Sequence, residues 1–144
     1  MTTITLRVEW DMGHRLPNHE GKCRRLHGHR YVAEVDVSGE LTEEGSEQGM
    51  VMDFGHLKIL LKTILDDPET GWDHRTLLWN QDIEMIALLG PDAADYGVLY
   101  VPFVPTAENI AEAMFTMLEP AMPSGVLVTR VRIYETTNGW AEVA

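Results

Sequence analysis

An α+β fold of order ββααββ, an antiparallel four-stranded sheet with two helices on one face, follows from three observations in this 144-residue sequence. Apolar and polar residues alternate in two runs near the N-terminus and one near the C-terminus. Between them, two segments repeat their apolar residues at helical spacing, and the strand-like runs adjoin in pairs that suit hairpins. The length suits one domain, residues 1–144, with a single core.

The first strand holds Ile4, Leu6, Val8 and Trp10 on one face and Thr5, Arg7 and Glu9 on the other. In the second, Tyr31, Ala33, Val35 and Val37 alternate with Glu34 and Asp36, and the strand ends near Ser38. Gly39 to Gly49, with four glutamates, reads as a solvated loop. Asp53 is positioned to cap a helix whose stripe is Phe54, Leu57, Leu60, Leu61, Ile64 and Leu65, stopped by Asp66-Asp67-Pro68. Thr106 caps the second helix, with Glu108 in its first turn and Ile110, Ala111, Met114, Met117 and Leu118 as its stripe. The third strand places Leu127, Thr129, Val131 and Ile133 on one face, with Glu135 in phase. Thr137-Asn138-Gly139 turns the chain into a last strand, Trp140 to Val143. Residues 81–104 are apolar without a period and predict an irregular helix or a long loop.

Eleven basic residues against 23 acidic ones give a net charge of −12, which opposes general attraction to nucleic acid or to an anionic membrane. The start of the chain lacks the features of a signal peptide and no window resembles a membrane span, so a cytoplasmic location is expected. Arg15, Lys22, Arg24, Arg25 and Arg30 form a local basic cluster that suits a small phosphorylated ligand. With one cysteine, Cys23, no intrachain disulfide is possible.

The chemistry-bearing residues concentrate in the same stretch. His27 and His29, at i and i+2 on a strand, project to one face, and hairpin pairing can bring His14 beside them. Three imidazoles suit Zn²⁺ with one position left open, although His-x-His also occurs as loop or core histidines. Cys23 is open to three readings: a fourth zinc ligand, a buried small side chain, or a thiolate stabilised by Lys22, Arg24 and Arg25. In Asp73-His74 the carboxylate could orient the imidazole for proton transfer, but a capping aspartate beside a surface histidine is the commoner arrangement. Glu108 and Glu135 read either as surface acids or, for Glu135 especially, as an anchor for a ligand's N–H donors. His19 and His56 read as structural or surface residues.

Taken together, these motifs resemble the family of 6-pyruvoyl- and 6-carboxy-tetrahydropterin synthases. The resemblance runs through Trp10 to Leu16, Cys23 to Tyr31, Gly49 to Phe54, Trp72-Asp73-His74, Pro105 to Ala111 and Glu135-Thr136. It implies the tunnelling fold, with trimers closing a barrel and pairing into hexamers whose sites lie between subunits. It further implies zinc on His14, His27 and His29, a proton-transfer set of Cys23, Asp73 and His74, and a pterin ring anchored by Glu135 with Glu108 and Thr106. Met12-Gly13 departs from the small residues common before the first histidine, and the interval from Asn80 to Pro105 is long.

Three residues separate Cys23 from His27, a spacing similar to the bacterial carboxy-forming subtype of the queuosine and 7-deazapurine pathway. The reaction so implied converts 7,8-dihydroneopterin triphosphate to 6-carboxy-5,6,7,8-tetrahydropterin, acetaldehyde and triphosphate. Arg24 and Arg25 are assigned to the triphosphate from charge alone. The competing readings are a pyruvoyl-forming or side-chain-cleaving enzyme of the same fold, and a zinc-stabilised interaction module without turnover.

Overall fold

The structure, a computed structural model, describes residues 1–144. Two 13-residue strands, β1 (Thr2–His14) and β2 (His27–Gly39), pair antiparallel without interruption from Thr2 opposite Gly39 to His14 opposite His27. β5 (Leu127–Thr136) lies antiparallel to β2, and β6 (Gly139–Val143) folds back on β5. These four strands are the ones the alternating patterns predict.

Two short strands extend the sheet beyond that expectation. β3 (Arg75–Trp79) runs parallel to β1, and β4 (Val98–Val101) parallel to β3, giving the order β4-β3-β1-β2-β5-β6. Neither alternates: Leu77 and Leu78 are both fully buried, and parallel strands covered on both faces read as continuous apolar runs. The segment 81–104, expected to be an irregular helix or a long loop, holds a seven-residue helix and a 3-10 stretch (Gly90–Tyr96), and beyond that expectation the strand β4.

The three helices are α1 (Phe54–Asp66), α2 (Ile83–Leu89) and α3 (Ala107–Leu118). Asp53 caps α1 by accepting from the Gly55 N–H at 2.6 Å, and Thr106 caps α3 by accepting from the Asn109 N–H at 3.1 Å. None of the helices is long and apolar enough to cross a membrane.

α1 and α3 cover one face of the sheet. Leu57, Leu61 and Leu65 from α1 and Ile110, Met114 and Leu118 from α3 meet Val8, Trp10, Tyr31, Val35 and Ile133 from the strands. Trp10 stacks on Tyr31 with ring centroids 5.5 Å apart and lies 6.2 Å from Trp72, so the largest side chains fill the end of the core beneath His14. On β5 the predicted phase holds from Val131 onward but fails before it. Asp36 faces Arg130 while Val37 faces Val128, so Thr129 is an extra residue that bulges the strand. Val128 therefore turns inward and Leu127 is 57% exposed.

The opposite face is polar. Arg130 grips Asp36 through two bonds of 2.7 and 2.9 Å, which holds that carboxyl below its usual range, and Arg132 pairs with Glu142 at 2.7 Å. Replacing Leu61, fully buried under the sheet, by alanine is expected to cost about 2–5 kcal/mol, read as a lower urea midpoint.

Candidate active site

The β1–β2 register puts His14 directly opposite His27, and His29 beside Gly28 one pleat along. All three rings emerge on the helix-covered face, on the same side as Trp10 and Tyr31. Their potential ligand nitrogens lie within 4.8 Å of one another. The strands approach closely here: a Cβ on Gly28 would stand 2.9 Å from the Met12 carbonyl oxygen, so only glycine fits between the two histidines.

Hydrogen bonds fix the ring orientations. His14 Nδ1 lies 2.7 Å from the Pro105 carbonyl oxygen, and His27 Nδ1 2.7 Å from the Arg25 carbonyl oxygen. A carbonyl can only accept, so both rings carry their proton on Nδ1 and present a bare Nε2. Those two Nε2 atoms face each other at 3.0 Å. Two lone pairs at that distance repel unless a cation stands between them. A proton fits poorly, because burial drives the His14 pKa down to about 4, with His27 and His29 adding to the effect and the Pro105 bond opposing it. A metal ion fits well. Ligands about 2.0–2.1 Å from a tetrahedral ion sit roughly 3.3 Å apart. His29 Nε2, buried without a hydrogen-bond partner, is the third donor, and burial lowers the pKa of its ring against the opposing pull of Glu135.

Neither the Cys23 sulfur nor the Glu135 carboxylate belongs to the cluster of ligand atoms. Cys23 is half-buried in the 3-10 turn Lys22–Arg24, its carbonyl accepting from the Leu16 N–H at 2.9 Å. Glu135 stands with its Oε2 3.7 Å from His29 Nε2. Thr106, Glu108 and Glu135 line one cleft of about 270 Å³, together with Leu16, Thr136 and Trp140. The three residues proposed from sequence as an anchor for a ring are therefore brought together. Tyr31, unmarked by any sequence signal beyond its place in the strand, packs edge-to-face on both His14 and His29.

Asp73 and His74 do touch, His74 Nδ1 lying 2.9 Å from Asp73 Oδ1. Neither belongs to the cluster of ligand atoms. His74 is 75% exposed and shares a hollow with Asp11, Gly13, Gly28, Thr76 and the triad residue His29. Its backbone is left-handed, φ 61°, a conformation costing roughly 1–2 kcal/mol in a non-glycine residue. The His74 N–H, donating to the Asp11 carbonyl at 2.7 Å, holds it there. The main chain of Asp11 had no sequence signal for this role.

The basic cluster is largely neutralised. Arg15 is buried against Asp82 and Glu84, Arg24 shares Glu84, and Arg30 pairs with Asp11 and Glu9 on the far face. Arg25 is exposed. His19 and His56 are surface residues, His56 paired with Glu47.

With this geometry in place, comparison with known proteins is decisive. Residues 3–144 match the family model for 6-pyruvoyl tetrahydropterin synthase. The chain belongs to that family. Among its relatives, proteins named 6-carboxy-5,6,7,8-tetrahydropterin synthase from Rickettsia conorii and Haemophilus influenzae are 37% and 34% identical. They cover 99% of this chain and are themselves covered over 100% and 98% of their length. Among solved structures, an uncharacterized protein from Wolinella succinogenes superposes with a TM-score of 0.77 at 26% identity, covering 99% of this chain and 98% of that one. The 6-pyruvoyl tetrahydropterin synthase of Caenorhabditis elegans gives 0.68 at 28%, covering 99% and 94%. The family placement agrees with the α+β tunnelling fold and with a pterin as the class of molecule acted on.

The depressed His14 pKa carries a pH dependence. Unfolded, His14 takes a proton near its ordinary value of 6.5; folded, it does so only near 4. Across that window the unfolded chain binds more protons, so stability rises with pH and is lost on acidification. In chelator-treated protein the loss is on the order of 3 kcal/mol. Urea midpoints at about pH 7 and about pH 4.5 should show a steeper fall for the wild type than for His14→Gln. Equal slopes would contradict the account.

Proposed function

We propose that the chain is a zinc-dependent lyase that converts 7,8-dihydroneopterin triphosphate and water to 6-carboxy-5,6,7,8-tetrahydropterin, acetaldehyde and triphosphate. The observation that carries this reading is the pair of Nε2 lone pairs opposed at 3.0 Å, with both Nδ1 atoms already committed, beside a cleft lined by Glu108 and Glu135. His14, His27 and His29 would hold the zinc, which when bound supplies a Lewis acid for the hydroxylated side chain of the substrate.

The other roles follow from side-chain chemistry. Glu135, at the end of a strand and 3.7 Å from His29, accepts hydrogen bonds from the ring N–H groups of a pterin, with Glu108 and Thr106 lining the same cleft. Cys23 acts as the base that removes a side-chain proton; its place outside the ligand cluster favours this over a fourth-ligand role. His74, oriented by Asp73, exchanges the second proton. His74 stands outside the ligand cluster and is 75% exposed, so a neighbouring subunit in a trimer or hexamer can bring its own triad against it. Arg25 meets the triphosphate from the exposed side, and Arg24 does so only from its place beside Glu84. The three-residue interval between Cys23 and His27, and the relatives' names, favour the carboxy product over the pyruvoyl one. That product serves as a precursor of queuosine and other 7-deazapurines, and the enzyme works in the cytoplasm.

Incubating the zinc-loaded protein with 7,8-dihydroneopterin triphosphate without oxygen, followed by mass spectrometry, should yield the carboxy compound with acetaldehyde. Pyruvoyl-tetrahydropterin alone would replace the subtype. Cys23→Ala should lower kcat by about 10²-fold or more while retaining zinc at the wild-type ratio. Loss of metal from that variant would move Cys23 into the ligand set. Calorimetry with a non-reacting pterin should show roughly tenfold or greater weakening for Glu135→Gln, and an unchanged Kd would remove Glu135 from the ring-binding role.

A further inference from the structure

The helix α2, which lies in the segment expected to hold an irregular helix or a long loop, has no part in that reading, yet its first turn carries an arrangement that bears on the site. Arg15 and Asp82 are only 5% and 3% exposed. Burying opposite charges is tolerable when they pair, and Arg15 Nε lies 3.2 Å from Asp82 Oδ2. Asp82 also caps α2, accepting from the Met85 N–H at 3.2 Å, so the buried arginine is tied to the start of this helix. Two residues along, a single oxygen of Glu84 accepts from Arg15 Nη2 at 3.0 Å and from Arg24 Nη2 at 3.4 Å.

The positions of those two arginines give the arrangement its meaning. Arg15 directly follows the triad residue His14, and Arg24 directly follows Cys23. The Leu16 N–H donates to the Cys23 carbonyl at 2.9 Å, closing the loop between them. One carboxylate therefore spans both ends of the segment that carries the thiol. The outer arm is accessible to substitution, since the Glu84 and Arg24 side chains are 62% and 59% exposed.

The geometry points to Glu84 as a positioning residue for Cys23: through Arg15 and Arg24 it fixes the loop bearing the thiol against the histidine triad. This rests on the reading of Cys23 as the base. It also gives Arg24 a task different from contact with the triphosphate, and the two tasks separate kinetically. A positioning arm affects kcat, whereas a phosphate contact formed equally in ground and transition states affects KM.

The test uses the full-length zinc-loaded protein as Glu84→Ala, Arg24→Ala and the double variant. Expected for each are wild-type zinc content, alkylation of Cys23 by iodoacetamide about threefold faster or more, and kcat lowered about tenfold with KM within about twofold. The double variant should be no worse than either single one, because both cut the same arm. Glu84→Gln, which keeps the shape and one acceptor, should recover part of the kcat, and it carries the comparison if Glu84→Ala does not fold. Wild-type alkylation and kcat in Glu84→Ala would overturn the proposal, as would an Arg24→Ala that raises KM alone, or strictly additive losses. A Cys23→Ala protein with wild-type kcat would instead overturn the assignment of the base; the alkylation rates would still report whether Glu84 holds the loop.

Discussion

The antiparallel register of β1 against β2 is the constraint on which the rest depends. Because the strands pair from Thr2 opposite Gly39 to His14 opposite His27, a side chain's face is settled by its parity. A slip of one residue would send His27 and His29 to the polar face and leave His14 alone. The pairing is held from both sides, by Val8, Trp10, Tyr31, Ala33 and Val35 against the helices and by β3 and β5 on the flanks. The same buried alternation that stabilises the sheet thus also aims the imidazoles.

From that register the site grows outward by backbone contacts. The carbonyls of Pro105 and Arg25 orient two rings, and neither involves a side chain. Pro105 precedes the cap of α3, so the helix that supplies Thr106 and Glu108 to the cleft is placed by the residue that fixes His14. The placement of α3 on the sheet and the orientation of the first imidazole therefore share one backbone contact. This coupling ties the α3 wall of the cleft to the triad through the main chain.

Much of this was legible in the sequence, and the boundary has physical causes. The long antiparallel strands and the two capped helices announce themselves because each has one wet face, so polarity alternates with the period of the backbone. The histidines were readable because i and i+2 on a strand is a geometric statement. β3 and β4 were hidden because buried parallel strands such as Arg75–Trp79 lack alternation. The bulge at Thr129 was hidden because one inserted residue changes phase without changing composition. Asp73 and His74 could be seen to be adjacent, but the face they occupy depends on the β1–β3 pairing, which no local pattern encodes. The basic cluster misled in part: charge counting cannot show that Asp82 and Glu84, nearly seventy residues away, already hold Arg15.

The lone thiol has a consequence for the chemistry of damage. Cys23 is half-buried rather than sealed, and the chain has no second cysteine. A sulfenic acid formed there has no internal resolving thiol with which to form a disulfide, so its repair depends on a reductant from outside the chain. Without one, oxidation proceeds toward the sulfinic and sulfonic acids, which carry negative charge at the position of the thiol. Cys23 is not among the residues of the buried core, so such a modification would strike the thiol rather than the packing that holds the fold.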